Sequence, residues 1–144
     1  MNSFKDELKA IKARLENNPD LNQFCVDNLG NGLTVTTAFY RRQEIDITKL
    51  PIAMITRPDI SREIKGNRIA EEHKIRIYAG FQLKTQDTSG ELLIQFEELI
   101  VKALMTKTDH ADDIGLAIKP SNSANDEGMY HPSYFFVLEA MVIK

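Results

Sequence analysis

Four residues near the middle of the chain have types and a spacing that could support metal-dependent hydrolysis. In the stretch RPDISREIKGNRIAEEHK, which covers residues 57–74, Pro58 and Asp59 precede Glu72 and Lys74. Two carboxylates can hold Mg²⁺, and a lysine beside them can help to generate or position the attacking water. If the flanking strands pair as a hairpin, Asp59 and Glu72 lie at the same end of it.

This order is the PD-ExK pattern of metal-dependent nucleases, and that activity is one interpretation of the stretch. The competing interpretation is a solvated loop over residues 57–73 that docks a partner protein. The chain carries 18 Lys and Arg against 21 Asp and Glu, a net charge of −3, without the basic excess of a general nucleic-acid binder. We favour the loop, with four basic candidate docking residues: Arg57, Arg62, Lys65 and Arg68.

Other reactive side chains occur without the partners that chemistry requires. The segment DHADD could offer a cation Asp109, His110, Asp112 and Asp113, but it lacks the spacing of a calcium loop. A solvated loop is favoured there. Cys25 is the only cysteine, so no intrachain disulfide is possible, and we expect it to be a small buried apolar residue. His73 and His131 are expected at the surface or capped. We therefore predict no catalytic residue, cofactor or metal.

Length and composition predict one ordinary globular domain over residues 1–144. Hydrophobic residues make up 42% of the chain and charged residues 27%. The first residues, MNSFKDELKAIKARLENN, are charged throughout and do not resemble a secretory signal. No run approaches the roughly 20 apolar residues that cross a bilayer, so no membrane partner is expected.

Two segments have helical periodicity. Phe4, Leu8, Ile11 and Leu15 form one stripe of a helix over residues 3–17, with Ser3 as N-cap and the proline of NNPD as its end. TSGE, at 88–91, has the pattern of a capping box and opens a helix over 88–106.

The remaining patterns predict strands. KIRIYAGFQLK, at 74–84, alternates strictly between apolar and other residues, as a strand with one face on a core does. Further strands are predicted at 33–40, 50–56, 115–120 and 133–144, with 121–128 as a turn, whereas 21–50 is otherwise ambiguous. The order predicts an α+β fold: a twisted antiparallel sheet of four to five strands with two helices packed on one face.

The closing strand is apolar on both faces. In SYFFVLEAMVIK, one face carries Phe136 and Leu138, while the other carries four further apolar side chains: Phe135, Val137, Met141 and Ile143. Helices on one side of a sheet leave its second face to water, where polar residues are expected. An extra chain segment, a bent sheet or a neighbouring subunit must therefore cover this face. Of these we favour the subunit, and we predict that these four residues contact it.

As a whole the chain resembles the tail terminator, or tail-completion, proteins of long-tailed phages and Mu-like prophages. The features that carry the resemblance are the amphipathic N-terminal helix, the strand LPIAMIT, a long charged hairpin, the strand KIRIYAGFQL, the helix ELLIQFEELIVKAL and a closing hydrophobic strand. The resemblance is one of architecture along residues 1–144, and residues 21–50 match it least.

The resemblance implies a structural protein and not an enzyme. Such proteins form a homo-oligomeric ring, typically a hexamer, that caps the finished tail tube and presents a surface to the head connector. Its partners would be copies of itself and the tube and connector proteins, with no direct recognition of nucleic-acid sequence. It would work in the host cytoplasm during assembly and in the virion tail afterwards.

Overall fold

The computed structural model describes residues 3–38, 40–41, 44–109, 113, 115–126, 128 and 131–143. Three α-helices occur in the described residues: α1 (Phe4–Glu16), α2 (Pro19–Leu29) and α3 (Ser89–Leu104). They accompany a 3-10 helix (Ile47–Lys49) and five strands: β1 (Thr34–Thr36), β2 (Ile52–Lys65), β3 (Arg68–Gln82), β4 (Ala117–Asn125) and β5 (Ser133–Ile143). The predicted α+β class is confirmed.

The five strands form one sheet in the order β1-β2-β3-β5-β4. All neighbours are antiparallel except β1, which pairs with β2 in parallel, Thr34 lying beside Ile52 and Thr36 beside Met54. The sheet is therefore mixed, which corrects the expectation of a purely antiparallel one. The long connection between these two strands makes the parallel pair possible, because it returns the chain to the end of the sheet where β1 began.

All three helices bury side chains in one core on one face of the sheet. Ile11, Leu21 and Phe96, one from each helix, are fully buried there with alternate residues of β2, β3 and β5. Helix α2 was not predicted from the sequence. Asn18 caps it by accepting a hydrogen bond from the backbone N–H of Leu21 at 3.0 Å, and Pro19 takes the first helical turn. Proline suits that position because its missing N–H needs no partner there, so the signal that ends α1 also begins α2.

The predicted N-caps had different outcomes. Ser3 caps α1 by accepting from the backbone N–H of Lys5 at 3.1 Å. Thr88 precedes α3 but its side chain makes no capping hydrogen bond, so the predicted capping box is wrong.

Residues 57–73 are strand and not loop, which corrects the prediction of a long charged connection. Strands β2 and β3 both continue to a two-residue turn, Gly66 and Asn67, where Lys65 lies opposite Arg68. Gly66 has φ +63°, a conformation that glycine adopts without strain, as a hairpin turn of this length requires. Because both faces of this ribbon meet water, its residues lack the apolar alternation that would have marked them as strand.

Pro120 does not end β4, which was predicted to stop there. The strand continues to Asn125 through an irregularity between Pro120 and Asn122. β4 lies at the edge of the sheet, and an edge strand tolerates proline since one side of its backbone needs no strand partner.

A buried ion pair joins the helical layer to the segment that follows α3. Arg14 and Asp113 are 2% and 1% exposed, and Nε of Arg14 donates to Oδ1 of Asp113 at 2.9 Å. The guanidinium also donates to the backbone carbonyls of Leu104 and Leu116, while Asp113 accepts from the N–H and hydroxyl of Thr108 at 2.7 and 2.9 Å. These contacts satisfy both buried charges.

Replacing Arg14 with Met should lower the free energy of unfolding by about 3–5 kcal/mol, because Asp113 would remain buried without its counter-ion. Urea unfolding measures the change. Lys12→Met is the matched control on the same helix: its pair with Glu16, at 3.9 Å, is solvent-exposed and should contribute no more than about 0.5 kcal/mol. Equal effects of the two substitutions would contradict this role for Arg14.

The same pair makes stability depend on acid. Burial raises the pKa of Asp113, but hydrogen bonds from Arg14 and Thr108 and the charge of Arg14 outweigh it, so the pKa is lowered. Because the pKa of Asp113 is lower in the folded state than in the unfolded chain, its carboxylate stabilises the fold at pH values above the unfolded-state pKa of about 3.9. This contribution is lost as the pH falls through the folded-state pKa. Urea unfolding at several pH values should show this loss below about pH 4, and Asp113→Asn should remove part of it. An unchanged acid dependence in the variant would count against the assignment.

Candidate interaction surfaces

β2 and β3 continue together beyond the rest of the sheet. The pairing of β5 with β3 ends at Ile143 and Glu72, and the pairing of β1 with β2 ends at Thr36 and Met54. In the described part of the chain no third strand flanks residues 60–71, which form a two-stranded ribbon. We call this ribbon the hairpin arm.

The end of the hairpin arm exposes an apolar pair. Ile64 lies opposite Ile69, and the two side chains are 79% and 65% exposed. Arg62 and Glu71 form the next cross-strand pair on the same face, with Nε and Oε2 2.8 Å apart. An isolated two-stranded ribbon is only marginally stable in water, so an apolar pair at its end suits contact with another molecule.

Of the four basic residues predicted to dock a partner, three lie exposed on the hairpin arm: Arg62, Lys65 and Arg68. Arg57 lies instead at the root of the arm. Its guanidinium carbon is 5.1 Å from the centre of the Phe4 ring, and its Nη1 donates to Nδ1 of His73 at 3.2 Å. Arg57 therefore ties the arm to α1 of its own chain.

His73 is buried, which corrects the expectation of a surface or capped histidine. It is 1% exposed and stacks on Phe4, with ring centres 4.1 Å apart. It faces the helices because it keeps the alternation of Ile75 and Ile77 along β3. His131 does lie at the surface, with Nδ1 2.7 Å from the Tyr134 hydroxyl.

The outer face of β5, away from the helices, is only partly covered by its own chain. Phe135 is 2% exposed, so it has little surface to offer a second subunit. Val137 and Met141 are half-buried and Ile143 is 48% exposed. Glu139, on the same face, lies 3.2 Å from Nζ of Lys74. The open part of the face is thus apolar with a charged centre.

The cover over Phe135 is a second, smaller apolar cluster. It consists of buried residues from β5, β2 and the segment before β2, with two partly buried neighbours: Leu50, Ile52, Met54, Phe135, Ile45 and Tyr78. Tyr78 stacks on Phe135 with ring centres 5.0 Å apart, and its hydroxyl donates a hydrogen bond to the carboxylate of Asp126. Residues before β2 therefore fold back over the outer face of the sheet.

Three residues of the PD-ExK pattern, Asp59, Glu72 and Lys74, share one face of the hairpin. Asp59 lies opposite Lys74, and Glu72 is two residues before Lys74 on the same strand. Asp59 and Glu72 are exposed, and the ammonium group of Lys74 is engaged by Glu139. Among the described residues, no group of three or more His, Cys, Asp or Glu side chains could hold a metal ion.

The other candidate reactive residues, Cys25 and those of the DHADD segment, lie in different environments. Cys25 is fully buried, as predicted, and burial raises its pKa to about 12. Of the DHADD segment, His110 and Asp112 lie outside the described residues, and Asp109 is exposed. Asp113 is buried in the core and does not lie in a solvated loop, because Arg14 forms an ion pair with it. No local signal pairs two residues so far apart in the chain.

Comparisons with known proteins add no assignment: no family model matches the chain, and no curated protein matches it. Within the described residues, no helix is both long and apolar enough to span a membrane.

The packing of Phe135 on Gly80 in the second apolar cluster can be tested by substitution. A Cβ on Gly80 would lie 2.2 Å from Cδ1 of Phe135 and 2.5 Å from the carbonyl oxygen of Tyr134. Gly80→Ala should therefore cost about 1–3 kcal/mol of unfolding free energy, as overpacking does. The cost should be smaller in a Phe135→Ala background, because the ring that meets the added methyl is gone.

Gly90→Ala is the matched control. Nothing lies within 4 Å of a Cβ at Gly90, which sits in the first turn of α3, so this change should be neutral or stabilise by about 0.4–1 kcal/mol. Thermal or urea unfolding of the variants decides the point. If Gly80→Ala were as harmless as Gly90→Ala, the aromatic ring would not rest on the glycine.

Proposed function

We propose that this protein is a structural phage or prophage protein whose copies form a ring, typically a hexamer, that terminates and caps the tail tube and joins it to the head connector. It acts through contacts with copies of itself and with tube and connector proteins, and it carries out no catalysis. It assembles in the host cytoplasm and stays in the virion tail. The proposal rests on the architectural resemblance together with one observation, the hairpin arm.

The hairpin arm supports a role in assembly because its end contributes nothing to the core of its own chain. Ile64 and Ile69 are more exposed than the other exposed large hydrophobic side chains of the described residues. Arg62, on the same face, is paired with Glu71, and Lys65 and Arg68 flank the turn next to the isoleucines. An apolar centre with a charged rim is the usual composition of a protein contact, in which charge sets orientation more than affinity.

The outer face of β5 supplies a second surface of the same kind. Its open part holds Val137, Met141 and Ile143, of which Ile143 is the most exposed. Both surfaces are apolar and they are different, and heterologous contacts between different patches are what close a ring.

A metal-dependent nuclease of PD-ExK type is the second candidate, because Asp59, Glu72 and Lys74 do share one face of the hairpin. The position of this face beside open solvent favours the structural role. Electrostatic stabilisation of a reaction is strongest where water is excluded, whereas Asp59 and Glu72 are exposed.

The central experiment is sedimentation of the purified protein over a range of concentrations, followed by electron microscopy of the largest species. We expect a discrete ring-shaped assembly. A protein that remains monomeric throughout, or that stops at a two-fold dimer, would contradict self-assembly into a ring.

The β5 surface has its own test. Ile143→Asp should weaken the assembly and leave the fold intact, because this side chain is 48% exposed and a charge there costs the monomer little. Val26→Asp, at an equally open position on α2 (53% exposed), is the control. Circular dichroism establishes folding and sedimentation establishes the assembly. Undiminished assembly of Ile143→Asp would remove β5 from the contact.

The nuclease alternative is tested by incubating the protein with DNA and Mg²⁺ beside the variant Asp59→Asn. On the structural proposal neither protein cleaves DNA. Mg²⁺-dependent cleavage by the natural protein that disappears in Asp59→Asn would establish the alternative instead.

A further inference from the structure

We propose that the end of the hairpin arm of one copy docks on the outer face of the first half of α3 in a second copy. We call this receiving surface the acidic helix face; its residues are Glu91, Ile94, Gln95 and Glu98. The inference rests on the proposed function, since it names one contact, separate from that of β5, through which successive copies of the ring would join.

The end of the arm carries positive charge around its apolar centre. The whole arm, residues 60–71, has three basic residues, Arg62, Lys65 and Arg68, and two acidic residues, Glu63 and Glu71, which gives 3 − 2 = +1. Its tip, residues 64–69, contains Lys65 and Arg68 and no acidic residue. Nζ of Lys65 and Oε2 of Glu63 lie 3.8 Å apart, and both side chains are exposed to solvent. The net positive charge beside the isoleucine pair therefore favours a negatively charged partner surface.

The acidic helix face has the opposite charge around an apolar centre of its own. Two of its four residues, Glu91 and Glu98, are acidic and none is basic, a charge of −2. Ile94 is 59% exposed. Glu91 and Glu98, both exposed, lie three residues before and four residues after Ile94 and so share its side of the helix. The two surfaces therefore match apolar centre to apolar centre and basic rim to acidic rim.

The two surfaces lie too far apart to meet within one chain. Phe96 of α3 packs on Phe81, with ring centres 5.7 Å apart, so the first half of α3 covers the far end of β3. The arm ends at Arg68, and the strand between Arg68 and Phe81 spans about 40 Å at roughly 3.3 Å per residue. A contact between these two surfaces therefore requires a second molecule. Different patches at opposite ends join copies head to tail, as a closed ring requires.

An apolar cavity at the same end of the sheet is the less suitable receptor. It has a volume of about 330 Å³ and is lined mainly by apolar residues, with Lys84 at its wall. Among the described lining residues there is no carboxylate to meet Lys65 and Arg68. Charge thus favours the acidic helix face over the cavity, and Ile47, 61% exposed and part of the cavity wall, provides a control position.

Cross-linking of mixed variants tests the contact directly. Ile69→Cys and Ile94→Cys proteins are mixed and oxidised, or treated with a short bismaleimide. The native Cys25 does not compete, because it is fully buried and its thiol stays protonated. We expect a cross-linked dimer that contains one copy of each variant. Cross-linking of Ile69→Cys with itself, or with Ile47→Cys in preference to Ile94→Cys, would overturn the proposal.

A charge exchange tests the rims without cysteine. Arg68→Glu and Glu98→Arg should each weaken self-association at least about tenfold in sedimentation, and the two changes in one chain should restore it. Lys107→Glu, at an exposed position beyond the end of α3, should have little effect. Failure of the double variant to recover would overturn the contact.

The two proposals fail in different ways. If the natural protein forms rings but the cysteine pair and the charge exchange give negative results, only this contact is wrong and the ring stands. If the natural protein shows no self-association, the ring and the contact are both overturned.

Discussion

The pairing of β3 with β2 on one side and β5 on the other is the constraint on which the remaining structure depends. These three strands differ in length, and β3 is paired with β5 only from Glu72 onward. Backbone hydrogen bonding therefore stops at one end of the sheet while β2 and β3 continue together. The excess length becomes the hairpin arm, whereas the shared length supports the helices on one face and the second apolar cluster on the other.

The buried polar groups of the described residues join the ends of secondary-structure elements. Arg14 and Asp113 join α1 to the chain that follows α3. Their other hydrogen-bond partners are Thr108 and the backbone carbonyls of Leu104 and Leu116. At the other end of α1, Phe4 stacks on His73 and lies under Arg57, so the first turn of the helix fixes the root of the arm. Fixing that root reduces the freedom that the arm would otherwise lose on binding a partner.

The proposed assembly uses surfaces that the fold leaves over once its own core is complete. The basic end of the arm and the acidic helix face lie at opposite ends of the sheet, and the open part of β5 lies on the side away from the helices. A chain with a net charge of −3 can therefore present a locally basic surface and a locally acidic one to its own copies. Such an arrangement favours one direction of stacking, because like surfaces repel each other.

Local patterns were enough to predict α1, α3 and the central part of the sheet. Phe4, Leu8, Ile11 and Leu15 repeat with the helical period, and residues 74–84 alternate because one face of that strand is buried. Helix α2 was missed although its signal was present, since the proline of NNPD serves equally as an end and as a beginning. The hairpin arm was missed because both of its faces meet water, so its residues carry no periodicity.

The sequence by itself determined the α+β class, the burial of Cys25 and the highly charged character of the segment that became the arm. These follow from composition and from spacing along the chain. Only the tertiary structure decided that Asp113 is buried beside Arg14, that Phe135 is covered by its own chain while Ile143 is not, and that the arm and the acidic helix face lie at opposite ends. Each of these depends on which distant segments meet, and that is set by strand pairing and core packing across the whole chain, which no local pattern records.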